Sequence, residues 1–391
     1  MSFRGRTAVL TLAGPLLVSL AAAAPAPSAA SEEAIKTEAA AIVDLFYDHD
    51  FARAAPAAAA LEARHPGHPA GPLFTAVVEY QRWTAEGMRD DKAWAAVDKD
   101  LSRAADAAKT LEKDSPAWSE YYLGAALGFR ARGLAARRSF FHAVPAAASS
   151  LRHLKRALEL DPSLEDARLG LGMYHYFAAR MPAAAKPFAR LLTGEPGDRD
   201  QGLAELWTVA NSSGIARMEA RAVLSMILSK SDEADWAGAE KLLAELMTRY
   251  PHNPVYRLRR AYVAQRRGDL DAAAALADPD GAWIQTLYPP LRANARAWAL
   301  YRAAECDLLR GRPDAAEARL KALAPGAGPK GLAGWIELRR ANLDDARGRR
   351  EQAKAAYAAI SEKSAAAAAK TFLAAPFPGG SKEVAPFFSG Y

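Results

Sequence analysis

Residues 154–176, LKRALELDPSLEDARLGLGMYHY, decide the fold, because they contain the end of one helix, a turn and the start of the next. Ala157 is a small residue near the end of the first helix, and Pro162, five positions later, cannot continue that helix. Leu171 and Gly172 form a large–small pair in the second helix, where a small side chain lets two helices cross closely. The spacing predicts a stack of helical hairpins with a repeat of about 34 residues.

The same pattern returns further along the chain. Ala239 and Ala273 lie 34 residues apart, Pro251 ends the helix between them, and Gly268 occupies the turn before the next helix. Two later copies of the pattern also have a turn glycine followed by a small residue. They are Gly311 with Ala316, and Gly348 with Ala353 and Tyr357. Four frames in register predict an all-α fold: an α-solenoid, a right-handed superhelix of helical hairpins.

The N-terminus has the composition of a secretory signal peptide. Arg4 and Arg6 precede the apolar run AVLTLAGPLLVSLAAAA and a stretch of small residues. Cleavage before Ser31 is predicted, with an uncleaved anchor as the alternative. The predicted organisation is a signal peptide over 1–30, a repeat domain over 31–374 and a Pro/Gly-rich tail over 375–391. The protein is therefore expected in the periplasm or outside the cell.

Composition excludes several classes of protein. A chain of 391 residues with 51% hydrophobic residues is not mostly disordered. Loss of the signal peptide would lower the formal charge from +6 to +4, which argues against a nucleic-acid partner. Cys306 has no partner for an internal disulfide and is expected to be a buried apolar residue. Once the signal peptide is removed, no remaining stretch is long and apolar enough to predict a membrane-spanning helix.

Two stretches interrupt the repeat pattern. Residues 131–150, ARGLAARRSFFHAVPAAASS, are predicted to form a basic connector that is longer than a repeat turn requires. Residues 179–202 contain Pro182, Pro187 and Pro196, which predict short helices and loops. Ser31 is predicted to cap the first helix of the mature chain.

The region from Tyr121 to about Ala277 resembles tetratricopeptide proteins at large. It is also similar to the eukaryotic inclusion-body clearance proteins and their tetratricopeptide relatives, and to exported bacterial proteins of similar layout. The similar segments are GLGMYHYFAARMP, DRDQGLAELW with the interrupted segment before it, ARMEARAVLSMIL and RYPHNPVYRL. The resemblance covers less than half of the chain and implies a tetratricopeptide-type interaction protein without a defined chemistry.

The sequence contains no recognisable catalytic or metal-binding motif. HExxH, paired-cysteine and G-x-S-x-G patterns do not occur in it. His65 and His68 flank Pro66 without a cysteine nearby, and a solvated loop accounts for them better than a metal site. No enzymatic activity, cofactor or metal is therefore predicted.

The candidate binding residues are those predicted on the first helix of each hairpin, which lines the concave face of such a superhelix. They share aromatic, methionine or arginine side chains and comprise Trp118, Tyr121, Phe129, Arg130, Met173, Tyr176, Tyr262, Arg266, Trp298 and Tyr301. Aromatic rings stack on a ligand, and arginine binds carboxylates with two parallel hydrogen bonds. The alternative is that these rings pack between repeats, because aromatic residues at helical spacing often fill cores.

Two functions remain open at this point. The first is an exported scaffold that binds a protein or peptide partner in the cell envelope. The second is a glycan-binding module of the outer-membrane uptake type, whose known versions usually carry a lipid-bearing cysteine that this chain lacks.

Overall fold

The computed structural model describes residues 29–377 except 89, 185, 324–327, 329 and 330. These residues are all-helical and contain no β-strand. The predicted signal peptide and the predicted tail lie almost wholly outside the described residues, so both stay predictions.

Nineteen α-helices are present in this part of the chain. They are α1 (Ala29–Tyr47), α2 (Phe51–Arg64), α3 (Ala70–Ala85), α4 (Asp91–Lys109), α5 (Pro116–Ala136), α6 (Phe140–Leu160), α7 (Arg168–Ala179), α8 (Lys186–Thr193), α9 (Arg199–Asn211), α10 (Arg217–Leu228), α11 (Trp236–Arg249), α12 (Pro254–Arg266), α13 (Leu270–Leu276), α14 (Trp283–Thr286), α15 (Arg292–Leu309), α16 (Pro313–Lys321), α17 (Leu332–Ala346), α18 (Arg350–Ala359) and α19 (Lys363–Ala374).

The helices pack as hairpins that follow one another along the chain. The pairs are α1/α2, α3/α4, α5/α6, α7/α9, α10/α11, α12/α13, α15/α16 and α17/α18. The first helix of a hairpin also packs on the first helix of the next, as α1 does on α3, α3 on α5, and α15 on α17. These first helices are called the inner helices below. The arrangement is consistent with an all-α solenoid.

The turn and crossing positions of the repeat frame have the expected local structure. Gly268, Gly311 and Gly348 have φ values of 83°, 68° and 75°, in the left-handed region that glycine adopts without steric cost. The small residues of the same frames are buried where helices meet: Ala157, Ala239, Ala273, Ala316 and Ala353.

The predicted basic connector is wrong. Helix α5 continues to Ala136 and α6 begins at Phe140, so only three residues separate them. Pro145 lies inside α6, where the missing N–H costs one hydrogen bond without ending the helix. The extensive packing of α5 on α6 stabilises a helix that the local sequence does not favour. Helix α1 is described from Ala29 onward, and the predicted cap at Ser31 of the mature chain stays a prediction.

The first hairpin contacts the turn between the fifth and sixth hairpins. Asp44, near the end of α1, accepts hydrogen bonds from Arg249 Nε at 2.9 Å and from the Tyr250 hydroxyl at 2.7 Å. The buried Asn253 side chain donates to the backbone carbonyl of Tyr47 at 2.8 Å. These residues are more than 200 positions apart, so the helical array curves back on its own beginning.

Candidate functional site: a central apolar cavity

A cavity of about 300 Å³ lies where this closure brings α1, α3, α5, α6, α7 and α10 together. Most of its wall consists of aliphatic and aromatic side chains. They include Val43 and Phe46 from α1, Leu73, Phe74 and Val77 from α3, Phe129 from α5, Leu151 from α6, Leu169, Met173 and Phe177 from α7, and Ile215 just before α10. Its volume is at the lower end of the range of about 300–1,000 Å³ for pockets that bind small ligands.

One face of α5 forms a continuous strip of the wall. Tyr121, Ala125, Phe129 and Arg132 follow one another at steps of four, four and three residues, which places them on one side of the helix. The Tyr121 ring packs edge-on against Trp118, with centroids 5.6 Å apart. This strip is the part of the site that the helical period alone predicts.

Glycines on α5 set the distance between α5 and α6. A Cβ atom on Gly124 would lie 2.7 Å from the Leu154 side chain, and one on Gly128 would lie 3.1 Å from Ser150 Oγ. Ser150 instead donates a hydrogen bond to the carbonyl of Gly124 at 2.7 Å. The close approach of the two backbones brings the α6 side chains to the cavity wall.

Among the described residues, the only ion pair in the cavity wall joins Arg132 of α5 to Glu219 of α10. Arg132 Nη1 lies 2.5 Å from Glu219 Oε1, and its guanidinium carbon lies 4.9 Å from the centre of the Phe129 ring. Burial by itself would lower the pKa of Arg132, but the negative charge of Glu219 raises it well above its ordinary value. Arg132 is therefore a permanent cation that links α5 to α10.

Asp166 holds the start of α10 against the cavity. Its carboxylate accepts the backbone N–H groups of Ile215 at 3.0 Å and Ala216 at 3.1 Å. Burial raises the pKa of Asp166 in spite of these two hydrogen bonds. A side chain at Gly214 would collide with this carboxylate, since its Cβ would lie 1.9 Å from Asp166 Oδ1.

The structure separates the predicted binding residues into groups. Tyr121, Phe129 and Met173 line the central cavity. Trp118 lines a second, more polar cavity of about 320 Å³ beside it, and Lys36 Nζ lies 5.1 Å from the centre of the Trp118 ring. The side chain of Arg130 turns away from the cavity to α4, where its Nε lies 2.6 Å from Asp98.

The other predicted residues lie outside the cavity. Tyr176, Tyr262 and Tyr301 have no exposed surface. Trp298 is also buried, and the half-buried Arg266 lies over Trp236, with its guanidinium carbon 5.6 Å from the ring centre. The burial agrees with the alternative of packing between repeats, and a role of these residues in binding stays a prediction.

Sequence reasoning missed several residues of the cavity wall. Arg132 lies eleven positions after Tyr121 on the same face of α5, and that spacing was a usable signal. Asp166, Glu219 and the side chains from α1 and α3 had no such signal, because they reach the cavity only through the closure of the array.

The inner helices of the C-terminal half carry a buried ionic network. Glu305 lies 3.5 Å from the hydroxyl of Tyr301 and forms ion pairs with Arg302 and Arg339. Burial raises the pKa of Glu305, but the two guanidinium groups outweigh it and lower the pKa overall. The neighbouring Cys306 is buried, and burial raises the pKa of its thiol to about 12. This network links α15 to α17.

The described residues contain neither a metal-binding cluster nor a membrane-spanning helix. In the described ranges, no three His, Cys, Asp or Glu side chains are grouped so that they could hold a metal ion. No helix of the same ranges is both long and apolar enough to cross a bilayer. His65 and His68 each contact a glutamate of α1, Glu38 at 3.2 Å and Glu32 at 3.0 Å. No family model and no curated protein matches the chain.

Proposed function

We propose that the chain is a non-catalytic scaffold of the tetratricopeptide type that binds an apolar segment of a partner protein in the central cavity. The observation that carries the proposal is the cavity of about 300 Å³, which has apolar walls from six helices. Concave, mostly apolar pockets with few polar groups are where proteins usually bind ligands. With the predicted signal peptide, the proposed place of action is the cell envelope.

The cavity suits one or two large apolar side chains of a peptide. Full burial of a leucine or phenylalanine side chain contributes about 1.5–3 kcal/mol, so two such side chains give useful affinity. The aromatic rings of Tyr121 and Phe129 add edge-to-face contacts of about 0.5–1.5 kcal/mol for an aromatic guest. Arg132 lies at the same wall and supplies hydrogen-bond donors for a peptide carbonyl.

A glycan fits the central cavity less well. Each sugar hydroxyl that leaves water needs a hydrogen-bond partner, and an unmade bond costs about 1–3 kcal/mol. The polar atoms of the wall are few, and some are already engaged. Ser150 Oγ donates to a backbone carbonyl, and the Asp166 oxygens accept two backbone N–H groups. An apolar peptide is therefore the preferred ligand of the central cavity.

Filling the cavity tests the proposal. Ala125 lines the cavity, so Ala125→Phe puts a ring into the space that the guest would occupy. Ala136, exposed at the end of the same helix, provides the matched control Ala136→Phe. We expect wild type and the control to bind members of a defined library of apolar peptides, and Ala125→Phe to bind them at least about tenfold more weakly.

Fluorescence anisotropy gives the affinities, and circular dichroism melts verify that all three proteins are folded. Equal peptide affinity for wild type and Ala125→Phe would overturn the assignment of the cavity. Binding on a glycan array, lost in Ala125→Phe while no peptide binds, would favour the glycan alternative.

A further inference from the structure

Positive charge is concentrated on the segments that form α5 to α8. Residues 116–193, which form α5 to α8, contain eleven Lys and Arg and five Asp and Glu. The whole chain, by contrast, has 51 Lys and Arg and 45 Asp and Glu. An uneven distribution of this kind indicates a surface that attracts a negatively charged partner.

The same segments expose large apolar side chains. Phe141 is 91% exposed, Leu191 80% and Phe140 60%. Of the seven large hydrophobic residues that are exposed in the described part of the chain, five lie between residues 140 and 191. Phe140 and Phe141 lie on α6 and Leu191 lies on α8, which packs against α6, and exposed apolar groups on neighbouring helices mark a surface that a partner can bury.

Exposed cations accompany these apolar side chains. Arg138 precedes α6, and Lys186 and Arg190 belong to α8, which packs against α6. All three are exposed and, among the described residues, none of them forms an ion pair. The neighbouring Arg137 does pair, with Asp91 of α4. Three cations thus remain available beside the apolar side chains.

Part of this exposed region lies near one end of the central cavity. Ala147 lines the cavity and follows Phe140 by seven residues, which is about 10 Å of helix rise on the same face of α6. Met181, just after α7, lines the cavity as well and is 38% exposed. Phe140 and Met181 therefore lie near the end of the cavity that the start of α6 and the end of α7 form.

We propose that this surface, defined by Arg138, Phe140, Phe141, Lys186, Arg190 and Leu191, docks onto an anionic lipid bilayer. Phenylalanine and leucine enter the boundary between headgroups and acyl chains, while lysine and arginine remain at the headgroups. A nucleic acid or an acidic protein surface would pair with the cations but would leave Leu191 and the two phenylalanines largely in water. The proposal goes beyond peptide binding and does not require an occupied cavity.

A site-specific fluorophore tests the docking in the full chain. His142 is exposed beside Phe141, so His142→Cys introduces a reactive thiol there without removing either phenylalanine. The native Cys306 is buried with a raised thiol pKa and stays unlabelled. Glu351 is exposed on α18, far from residue 142 in the sequence, and Glu351→Cys provides the control position. We expect anionic phosphatidylglycerol-containing vesicles to shift the emission of an environment-sensitive dye to the blue at position 142 only.

Charge and apolar contributions are separated by vesicle sedimentation. Arg138→Gln with Arg190→Gln should weaken partition about thirtyfold, because each cation near an anionic surface contributes about fivefold. Phe140→Ser with Phe141→Ser should weaken it as well, while the exposed Leu309→Ser should not. Residues 1–28 are identical in all variants and contribute equally to background binding.

An unchanged emission at position 142 with anionic vesicles would overturn the proposal. So would an equal response to neutral phosphatidylcholine vesicles, or an equal response at position 351. A blue shift of the same size with double-stranded DNA or an acidic peptide would assign the surface to that partner and would also overturn docking to a bilayer.

Discussion

His49 shows how burial makes a single side chain sensitive to pH. It follows α1 with a φ of 59°, and its ring stacks on Phe51 with centroids 5.5 Å apart. Its Nδ1 atom is buried and has no hydrogen-bond partner among the described residues. Burial therefore lowers the pKa of His49 to about 4.

Acid should weaken the fold through this residue. The folded pKa lies below the unfolded value of about 6.5, so the unfolded chain takes up the proton first. Stability is fully present above about pH 6.5 and is lost as the pH falls towards 4, by about 2–3 kcal/mol at pH 4.5. His49→Asn, which tolerates the left-handed backbone, should flatten this dependence in urea unfolding. Exposed His142→Asn serves as the control, and parallel curves for wild type and His49→Asn would contradict the prediction.

The buried tyrosines distinguish packing from binding. Tyr262 and Tyr301 have no exposed surface, whereas Tyr121 faces the central cavity. We expect Tyr262→Ala and Tyr301→Ala to destabilise the fold by about 3–5 kcal/mol, as for other large buried aromatics, and Tyr121→Ala to cost less but to weaken peptide binding. Chemical denaturation and anisotropy on the same samples measure both. Unchanged stability in Tyr262→Ala, together with lost binding, would assign that residue to the partner site.

At the level of elements, the crossing of α7 and α9 depends on two glycines. A Cβ on Gly172 would lie 3.0 Å from the carbonyl oxygen of Gly202 and from Leu206. A Cβ on Gly202 would lie 2.5 Å from the backbone nitrogen of Tyr176, an atom that cannot move without the helix. The two backbones are therefore in direct contact.

Substitutions at this crossing should have unequal effects. Gly202→Ala should destabilise the fold more than Gly172→Ala, because its Cβ would lie 2.5 Å from backbone, whereas the nearest backbone atom to a Cβ on Gly172 is 3.0 Å away. Gly172→Leu should overpack the crossing and cost about 1–3 kcal/mol. Ala204→Leu, on the exposed side of α9, is the control. Melting temperatures of Gly202→Ala and wild type that coincide would mean that the helices do not cross this closely.

For the whole molecule, the decisive contact is the one between α1 and the turn before α12. Asn253 has two roles there: it donates to the Tyr47 carbonyl and accepts from the backbone N–H of Val255 as the cap of α12. Nearby, His252 Nδ1 lies 2.7 Å from Asp48. The first hairpin is thus held by a small number of polar contacts and by the core that it shares with later helices.

Loss of this contact should loosen one end of the array only. Asn253→Ser keeps a hydroxyl for the cap but is too short to reach Tyr47, which leaves a buried carbonyl unpaired at a cost of about 1–3 kcal/mol. Hydrogen exchange should therefore accelerate in α1 and α2 and stay unchanged in α17 and α18. Asn211→Ser, at an exposed position, is the control. Equal protection of α1 in wild type and Asn253→Ser would show that the closure does not depend on this contact.

The sequence by itself determined the helical hairpins, their turns and their small crossing residues. Those features depend on neighbours within a few turns of helix: glycine is needed where φ is positive, proline ends a helix, and an alanine or glycine allows close crossing. The same local logic predicted the strip of Tyr121 and Phe129 on α5. It failed for residues 131–150, where packing between α5 and α6 overrides a proline and a run of arginines.

Only the tertiary structure decided that the array curves back on its beginning and forms a cavity there. The partners that close it, Asp44 with Arg249 and Tyr47 with Asn253, are separated by about 205 positions, and no period of the sequence relates them. The same holds for Arg132 and Glu219, which meet across the cavity. The curvature that brings such residues together is the sum of small rotations between successive hairpins, and each rotation depends on how whole helix surfaces interlock.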